Sequence, residues 1–245
     1  MAEIKVVDDR SVENFCMVGG FPGLGLIASI TSSFLIDELE MDLYAKIYSE
    51  ETLGRVTFDQ DEYEVNPAIC IYMNDEHELL LMKSDVPISG HSQEFVQKLT
   101  SWTDDRNITQ IHLLGLETMD KEDGVFAVTT GEASKLLENT DIRKPPNFGG
   151  VGGPSGALLE EADRRNMDSI ALVVGVSPYF PDPEAAEIII QEGLNRILDR
   201  NIRTEELSDA GEEIKEKQDQ LTSRIEEIMN EETGRAYPQD MYGSN

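Results

Sequence analysis

A glycine-rich turn between an apolar strand and an apolar helix is the feature that most restricts the fold of this chain. The strand is predicted at residues 15–18, and the helix at residues 26–39, where apolar side chains recur at spacings of three and four. A strand, a tight turn and a helix in this order form an α/β unit, so we expect further strands with helices packed on them. The turn consists of Gly20, Phe21, Pro22, Gly23, Leu24 and Gly25.

Strands and helices alternate through the following sequence as far as about residue 203. This alternation predicts the α/β class, with a central sheet that helices cover on both faces. Further strands are predicted at residues 4–7, 43–48, 55–58, 68–73, 79–83, 108–114, 125–129 and 169–176. Further helices are predicted at residues 89–102, 132–137, 157–166 and 184–198.

The composition changes after the α/β region. We expect a core domain at residues 1–203, a charged C-terminal helix at residues 204–233 and a flexible tail at residues 234–245. An apolar residue recurs every seven positions along the charged helix, which gives it a thin apolar seam. The seam fits a helix that lies along its own domain as well as one that packs on another subunit. Its members are Leu207, Ile214, Leu221 and Ile228.

The chain is strongly acidic. It carries 49 Asp and Glu against 20 Lys and Arg among 245 residues, for a formal net charge of −29. Binding of nucleic acid or of anionic lipid depends on Lys and Arg, so we exclude both as primary partners. The acidic residues are spread along the chain, which predicts a halophilic host, because at molar salt a Debye length of about 3 Å screens self-repulsion. A protein that stays folded in a low-salt thermal melt would contradict that prediction.

Cysteine use and hydropathy indicate a cytoplasmic protein. Cys16 and Cys70 lie inside apolar runs that are typical of strands, and two thiols form neither a disulfide framework nor a zinc site. The first residues lack the charged-then-apolar layout of a signal peptide. No apolar run approaches the roughly 20 residues of a membrane span.

The glycine segments lack the spacing of known phosphate and nucleophile motifs. The first turn matches neither G-x-G-x-x-G nor G-x-x-x-x-G-K-[ST], and tight helix–strand packing explains its glycines without a ligand. A second segment, Gly149–Gly156, precedes the helix that is predicted from residue 157. Its Ser155 lacks the final glycine of a nucleophile elbow, because Ala157 stands there, so we predict that Ser155 is a helix N-cap.

The sequence has three histidines, and each is a candidate general base. His77 lies in an acidic hairpin, His112 lies in a predicted strand, and His91 stands at a predicted helix start. A hydrolase would pair one of them with a nucleophile and an orienting carboxylate, and only His91 is placed for that role. The sequence has no H-x-x-x-H or C-x-x-C spacing, so we expect no metal site.

Taken together, the two glycine segments resemble motifs of the archaeal and bacterial branch of the proteasome assembly chaperone family. In that family a GFPG-G turn opens the domain, and a G-GP-G-LL segment precedes a helix, a strand and a P-P-A loop. The resemblance covers about residues 10–200, with the motifs in the same order and spacing. The matching residues of the second segment are Gly152, Gly153, Pro154, Gly156, Leu158 and Leu159, and those of the loop are Pro181, Pro183 and Ala185.

The resemblance implies a three-layer α/β/α sandwich like that of nucleoside phosphorylases, with the charged helix as a C-terminal extension. It also implies a non-enzymatic scaffold that forms homo-oligomers, needs no cofactor and binds the proteasome α-ring. In some members a C-terminal hydrophobic–Tyr–any tripeptide docks between α subunits through its carboxylate. Met241, Tyr242 and Gly243 match that tripeptide, but Ser244 and Asn245 follow, which moves the carboxylate by about 7 Å in an extended chain.

Two other functions stay open from the sequence. A nucleoside phosphorylase-like enzyme would bind phosphate at the first glycine turn and would use His91 on the base or the sugar. Phosphate sites usually add a cation, however, and no Arg or Lys lies in or beside either glycine segment. An oligomeric scaffold unrelated to proteasomes would need neither the phosphate site nor the histidine.

Overall fold

Within the residues that the computed structural model describes, eight strands form one mixed sheet. The described residues are 2–52, 54–58, 63–88, 93–117, 124–145, 149–176 and 181–208. The strands of the sheet are β1 (Ala2–Val6), β2 (Cys16–Gly19), β3 (Asp42–Ser49), β6 (Ile69–Asn74), β7 (Leu79–Ser84), β8 (Thr109–Glu117), β9 (Val125–Thr130) and β10 (Ser169–Val176). A separate antiparallel pair, β4 (Val56–Thr57) and β5 (Asn66–Pro67), lies between β3 and β6 in the sequence.

The order of the strands in the sheet is β1-β3-β6-β7-β2-β8-β10-β9. Neighbours from β7 through β2 and β8 to β10 run parallel, and the outer pairs are antiparallel. Parallel neighbours need crossover connections, which explains why strands and helices alternate in the sequence. The carboxyl ends of the four parallel strands meet at one edge of the sheet, which we call the carboxyl edge.

Helices flank the sheet on both faces, as the sequence predicts for an α/β fold. On the first face, Leu35 packs in a core with Val18 of β2. On the second face, Phe95 packs in another core with Met17, the neighbour of Val18. Successive side chains of a strand point to opposite faces, so one strand supplies both cores. The helices are α1 (Ile27–Glu38) and α4 (Pro183–Ile188) on the first face, α2 (Gln93–Asp104) and α3 (Gly153–Arg164) on the second, and the short α5 (Asn195–Leu198).

Several helix and strand boundaries differ from the sequence prediction. α3 begins at Gly153, before the predicted start at residue 157, because Pro154 takes a first-turn position where no backbone N–H is needed. β8 continues past Gly115 as far as Glu117. The helix predicted at residues 184–198 is present, but a π-helical turn at Ile189–Leu194 separates α4 from α5.

The chain keeps contact with the first core beyond residue 203. Ile202 and Leu207 are buried in that core, and residues 205–208 form a helical turn. The Ser208 hydroxyl donates a hydrogen bond of 2.7 Å to the Glu187 carboxylate, close to the end of α4. The other predictions for the charged helix and the tail lie outside the described residues. In the described part of the chain, every helix is too short or too polar to cross a membrane.

An ion-pair cluster connects α3 with α2. Glu161 accepts hydrogen bonds from Arg164 and, at 2.7 Å, from Arg165, and Arg165 lies 3.6 Å from the Asp104 carboxylate of α2. The hydrogen bond from Arg164 is the main reason that the pKa of Glu161 falls to about 2, and the bond from Arg165 adds to it against the effect of burial. The charged carboxylate therefore stabilises the fold above its unfolded-state pKa, and this stabilisation is lost as the pH falls.

We predict that Glu161→Gln lowers the free energy of unfolding by about 1 kcal/mol at neutral pH, because it removes a doubly hydrogen-bonded charge. The difference from the wild type should disappear as the pH falls from about 4.5 to about 2, where the wild-type carboxylate takes up its proton. Urea unfolding across this pH range measures the difference. Glu160→Gln, an exposed substitution in the same helix, is the matched control. A difference that does not change with pH would contradict the assignment.

Candidate functional site

The first glycine turn leads from the carboxyl end of β2 into α1. Phe21 points into the second core, where its ring meets the Phe95 ring edge-on, with 5.9 Å between the ring centroids. Pro22 is half-buried, and Gly23 is exposed. The turn thus places a buried aromatic anchor beside a short stretch of exposed backbone.

Close contacts and backbone geometry require two glycines in this turn. A Cβ on Gly20 would stand 2.7 Å from the Ala28 Cβ and 2.9 Å from the Leu113 carbonyl oxygen, so there is no room for a side chain between α1 and β8. Gly25 has a φ of +64°, and a Cβ there would stand 2.9 Å from the Val176 Cβ. Protein atoms therefore fill the space beside these glycines.

The second glycine segment leads into α3 on the other face of the sheet. Gly152 is the N-cap of α3, and its carbonyl accepts a hydrogen bond of 3.2 Å from the Gly156 N–H. Gly153 has a φ of +65°, which lies in the left-handed region that favours glycine. Ser155 is buried within the first turn of the helix. The prediction that Ser155 is the N-cap is therefore wrong, because the helix begins earlier than the glycine run suggests.

The fold brings both glycine segments to the carboxyl edge. α1 follows β2 and runs back from this edge on the first face, and α3 runs back towards the start of β10 on the second. Phe21 from the first segment and Leu158 from α3 lie in the same second core. The motif residues are glycine, phenylalanine and proline, which supply no acid, base or nucleophile. In the structure, the first segment packs α1 closely against β8, and the second segment forms the start of α3.

Three exposed leucines lie around the first turn. Leu24 and Leu26 belong to the turn, and Leu116 lies near the end of β8. The Leu24 carbonyl comes so close to Gly115 that a Cβ there would overlap it, so Leu24 lies beside the residue that precedes Leu116. Large apolar side chains that cluster in water mark surfaces for protein partners. We call Leu24, Leu26 and Leu116 the carboxyl-edge leucines.

The described histidines and cysteines lie in strands and in one turn. Burial lowers the pKa of His112 in β8 to about 4, and its Nε2 atom has no hydrogen-bond partner among the described residues. His77 lies in the turn between β6 and β7. Burial raises the pKa of the Cys16 thiol to about 11, and the buried Cys70 thiol of β6 donates a hydrogen bond of 3.4 Å to the Pro67 carbonyl. In the described ranges, no group of three His, Cys, Asp or Glu could hold a metal ion.

Two of the predicted sites lie outside the described residues. One is His91, the candidate general base, and the other is the tripeptide Met241, Tyr242 and Gly243 in the tail. The role of each stays a prediction. The glycine, phenylalanine and proline residues of the two motifs, in contrast, are all described, and they lie in one packed turn and one helix start.

An apolar arm lies beside β3 and β6, where the sequence predicts only a short strand at residues 55–58. The arm consists of the described residues 54–58 and 63–67, which include β4 and β5. Four of its apolar side chains are in water, with exposed fractions of 58% for Val56, 75% for Phe58, 106% for Tyr63 and 57% for Val65. The sequence pattern that indicates the arm is these four apolar residues within an otherwise polar stretch.

We predict that Gly20→Ala destabilises the protein by about 1–3 kcal/mol, because the new methyl group would overlap Ala28 and the Leu113 carbonyl. Gly23→Ala in the same turn is the matched control, since its Cβ would stand 3.7 Å from the Phe21 carbonyl oxygen, an ordinary contact distance. Urea unfolding of both variants measures the loss of stability. Equal losses would contradict the close packing assigned to Gly20.

The chain is similar to known proteins along most of its length. The model of the PAC2 family matches residues 17–222. An uncharacterized protein of Methanocaldococcus jannaschii is 26% identical over 243 residues, which cover 96% of this chain and 97% of that protein. These matches include both glycine segments and the helices that follow them.

Solved structures share the fold. Pyrococcus furiosus PbaA, an archaeal homolog of proteasome-assembly chaperone, superposes with a TM-score of 0.80 at 25% identity, over 96% of this chain and 97% of PbaA. Pyrococcus furiosus PbaB, an archaeal proteasome activator, superposes with a TM-score of 0.75 at 20% identity, over 90% of this chain and 98% of PbaB. The likeness to PbaB is one of fold. Because the family model matches most of the chain, this protein belongs to the PAC2 family.

Proposed function

We propose that this protein is a non-enzymatic, proteasome assembly chaperone-like protein that binds proteasome subunits and forms homo-oligomers. The observation that carries the proposal is the similarity to PbaA, an archaeal homolog of proteasome-assembly chaperone, along 96% of this chain. Membership of the PAC2 family supports it, and so does the order of the glycine motifs in the sequence.

The chemistry of the described residues favours binding over catalysis. The motif residues pack α1 against β8 and form the start of α3, and they carry no reactive group. The carboxyl-edge leucines and four apolar residues of the arm, in contrast, are exposed in the way that protein partners cover. A scaffold needs such surfaces. A phosphorylase-like enzyme would instead need a phosphate site, and such sites usually place a cation beside the anion.

We propose that the C-terminal tail provides the contact with the α-ring. Met241, Tyr242 and Gly243 match the hydrophobic–Tyr–any tripeptide that docks between α subunits in some members of the family. Tyr242 would supply the recognition, since a tyrosine ring offers an apolar body and a polar hydroxyl.

Several finer expectations belong to the same proposal. The net charge of −29 supports a halophilic host and a cytoplasmic location in molar salt. The helices on both faces of the sheet support a three-layer sandwich of the nucleoside phosphorylase type. The division of the chain into a core at residues 1–203, a charged helix at residues 204–233 and a tail at residues 234–245 is also proposed.

Binding to purified proteasome α-rings from a matching host, in molar salt, tests the function. We predict that the full chain binds, and that a variant lacking residues 241–245 binds at least about tenfold more weakly, because the tail contact is lost. Tyr242→Ala in the full chain separates the contribution of the tyrosine side chain from that of the rest of the tail. No binding by the full chain would contradict the proposal and would favour a scaffold unrelated to proteasomes or a phosphorylase-like enzyme.

A truncated chain that binds as tightly as the full chain would place the contact on the folded domain. The carboxyl-edge leucines are then the surface to test, with Leu24→Ser and Leu116→Ser combined in one variant. Both side chains are exposed, so the cores should stay intact. Leu136→Ser, another exposed leucine that lies outside this cluster, is the matched control.

A further inference from the structure

A row of lysines crosses four neighbouring strands of the sheet. In the strand register, Lys5 of β1 lies opposite Lys46 of β3, Lys46 lies opposite Cys70 of β6, and Cys70 lies opposite Lys83 of β7. Residues that lie opposite each other in adjacent strands point to the same face, so the three lysines form one line. In a chain with 20 basic and 49 acidic residues, this line is a local excess of positive charge.

The row lies on a part of the first face that α1 leaves open. The two neighbours of Lys46 in β3 point into the second core, so Lys46 itself points to the first face. On this face α1 packs on β7 and β8, towards the centre of the sheet. Lys5 and Tyr48 in the outer strands are exposed, and Lys46 and Lys83 are half-buried.

The positive charge of the row is not neutralised within the described part of the chain. None of the three lysines forms an ion pair with a described residue. Lys5 and Lys46 are directly opposite each other, and like charges in that position repel. Glu3 shares this face of β1 but lies opposite Tyr48 instead of a lysine. An anionic surface placed over the row would relieve the repulsion.

Exposed apolar groups border the row. Tyr48 points to the same face as Lys46, and β3 leads from Tyr48 towards the arm. β5 of the arm contacts β3 and β6, and four apolar side chains of the arm are in water. Aromatic and aliphatic groups with charged groups at their border are typical of protein–protein interfaces. We call Lys5, Lys46, Lys83, Tyr48 and the arm the lysine-row surface.

We propose that the lysine-row surface binds the acidic surface of a second copy of this chain in a head-to-tail contact. Two copies that met through the same surface would bring their lysine rows together, which is unfavourable. A second copy carries a net charge of −29, so its other faces complement the row. Contacts between unlike surfaces close into rings or continue as filaments. This inference rests on the self-association proposed above.

Charge reversal of the row in the full chain tests the surface. We expect the wild type to sediment as an oligomer, and a variant with Lys5→Glu, Lys46→Glu and Lys83→Glu to sediment as a monomer. A monomeric wild type would contradict the proposed self-association itself. An oligomeric wild type together with an equally oligomeric row variant would overturn the lysine-row inference and leave the proposed function standing.

The matched control replaces Lys98, Lys135 and Lys144 with Glu. These three side chains are exposed and lie outside the row, and their reversal changes the net charge by the same amount. We expect this control to stay oligomeric. A control that dissociates as fully as the row variant would overturn the inference, because general repulsion would then explain both results. Circular dichroism and urea unfolding check that both variants are folded.

Mixing the wild type with the row variant tests the head-to-tail geometry. The row variant keeps its acidic faces, so in excess it should bind the free lysine row of wild-type chains and shorten the wild-type oligomer. Native mass spectrometry of chains that differ in isotope content should then show mixed complexes. A wild-type oligomer that excludes the row variant and keeps its size would overturn the head-to-tail contact.

Zero-length cross-linking of the wild type gives a test that needs no substitution. Carbodiimide joins a lysine amine to a carboxylate that it touches, and a mixture of isotope-labelled and unlabelled chains shows whether both groups come from one chain. We expect Lys5, Lys46 and Lys83 to be joined to Asp or Glu residues of the other isotope. Cross-links from these lysines that stay within single chains would overturn the inference.

Discussion

The close approach of α1 to the centre of the sheet is the constraint on which the rest of the structure depends. Gly20 follows the central strand β2. Because Gly20 has no side chain, Ala28 of α1 can lie against the backbone of β8. On the first face, α1 then packs on β7 and β8 at the middle of the sheet, away from the outer strands β1 and β3. The same turn leaves Leu24 and Leu26 in water at the carboxyl edge. One packing contact thus determines where two exposed surfaces lie.

The lysine-row surface and the carboxyl-edge leucines differ in charge, and this difference determines which partners each can bind. A chain with a net charge of −29 repels its own copies unless salt screens the repulsion or a complementary patch brings them together. We propose that the lysine row is such a patch, and the apolar arm beside it adds groups that gain from leaving water. The carboxyl-edge leucines carry no charge, and they suit a different partner. The two surfaces therefore differ in chemistry, and we propose that only the lysine-row surface binds further copies of this chain.

Most of the fold follows from local patterns, whereas the surfaces depend on contacts between distant segments. β10 has the predicted bounds because its apolar residues are continuous and turn residues flank them. The start of α3 was missed because Gly153 and Pro154 are typical of loops, although both are tolerated at a helix start. The lysine row could not be predicted, since it depends on the register that pairs Lys5 with Lys46. The exposure of Leu24 could not be predicted either, because the turn and the helix that follows are apolar and such a pattern predicts burial.

The central claim is that this PAC2 family protein binds proteasome subunits. Capture of native partners tests this claim most directly. The tagged full chain would be incubated with lysate of the matching host in molar salt, beside an unrelated protein of equal negative charge. Quantitative mass spectrometry would then compare the captured proteins. The account predicts that proteasome α subunits are enriched with this chain over the charge-matched control. Equal recovery of proteasome subunits with both baits, or no recovery with either, would contradict it.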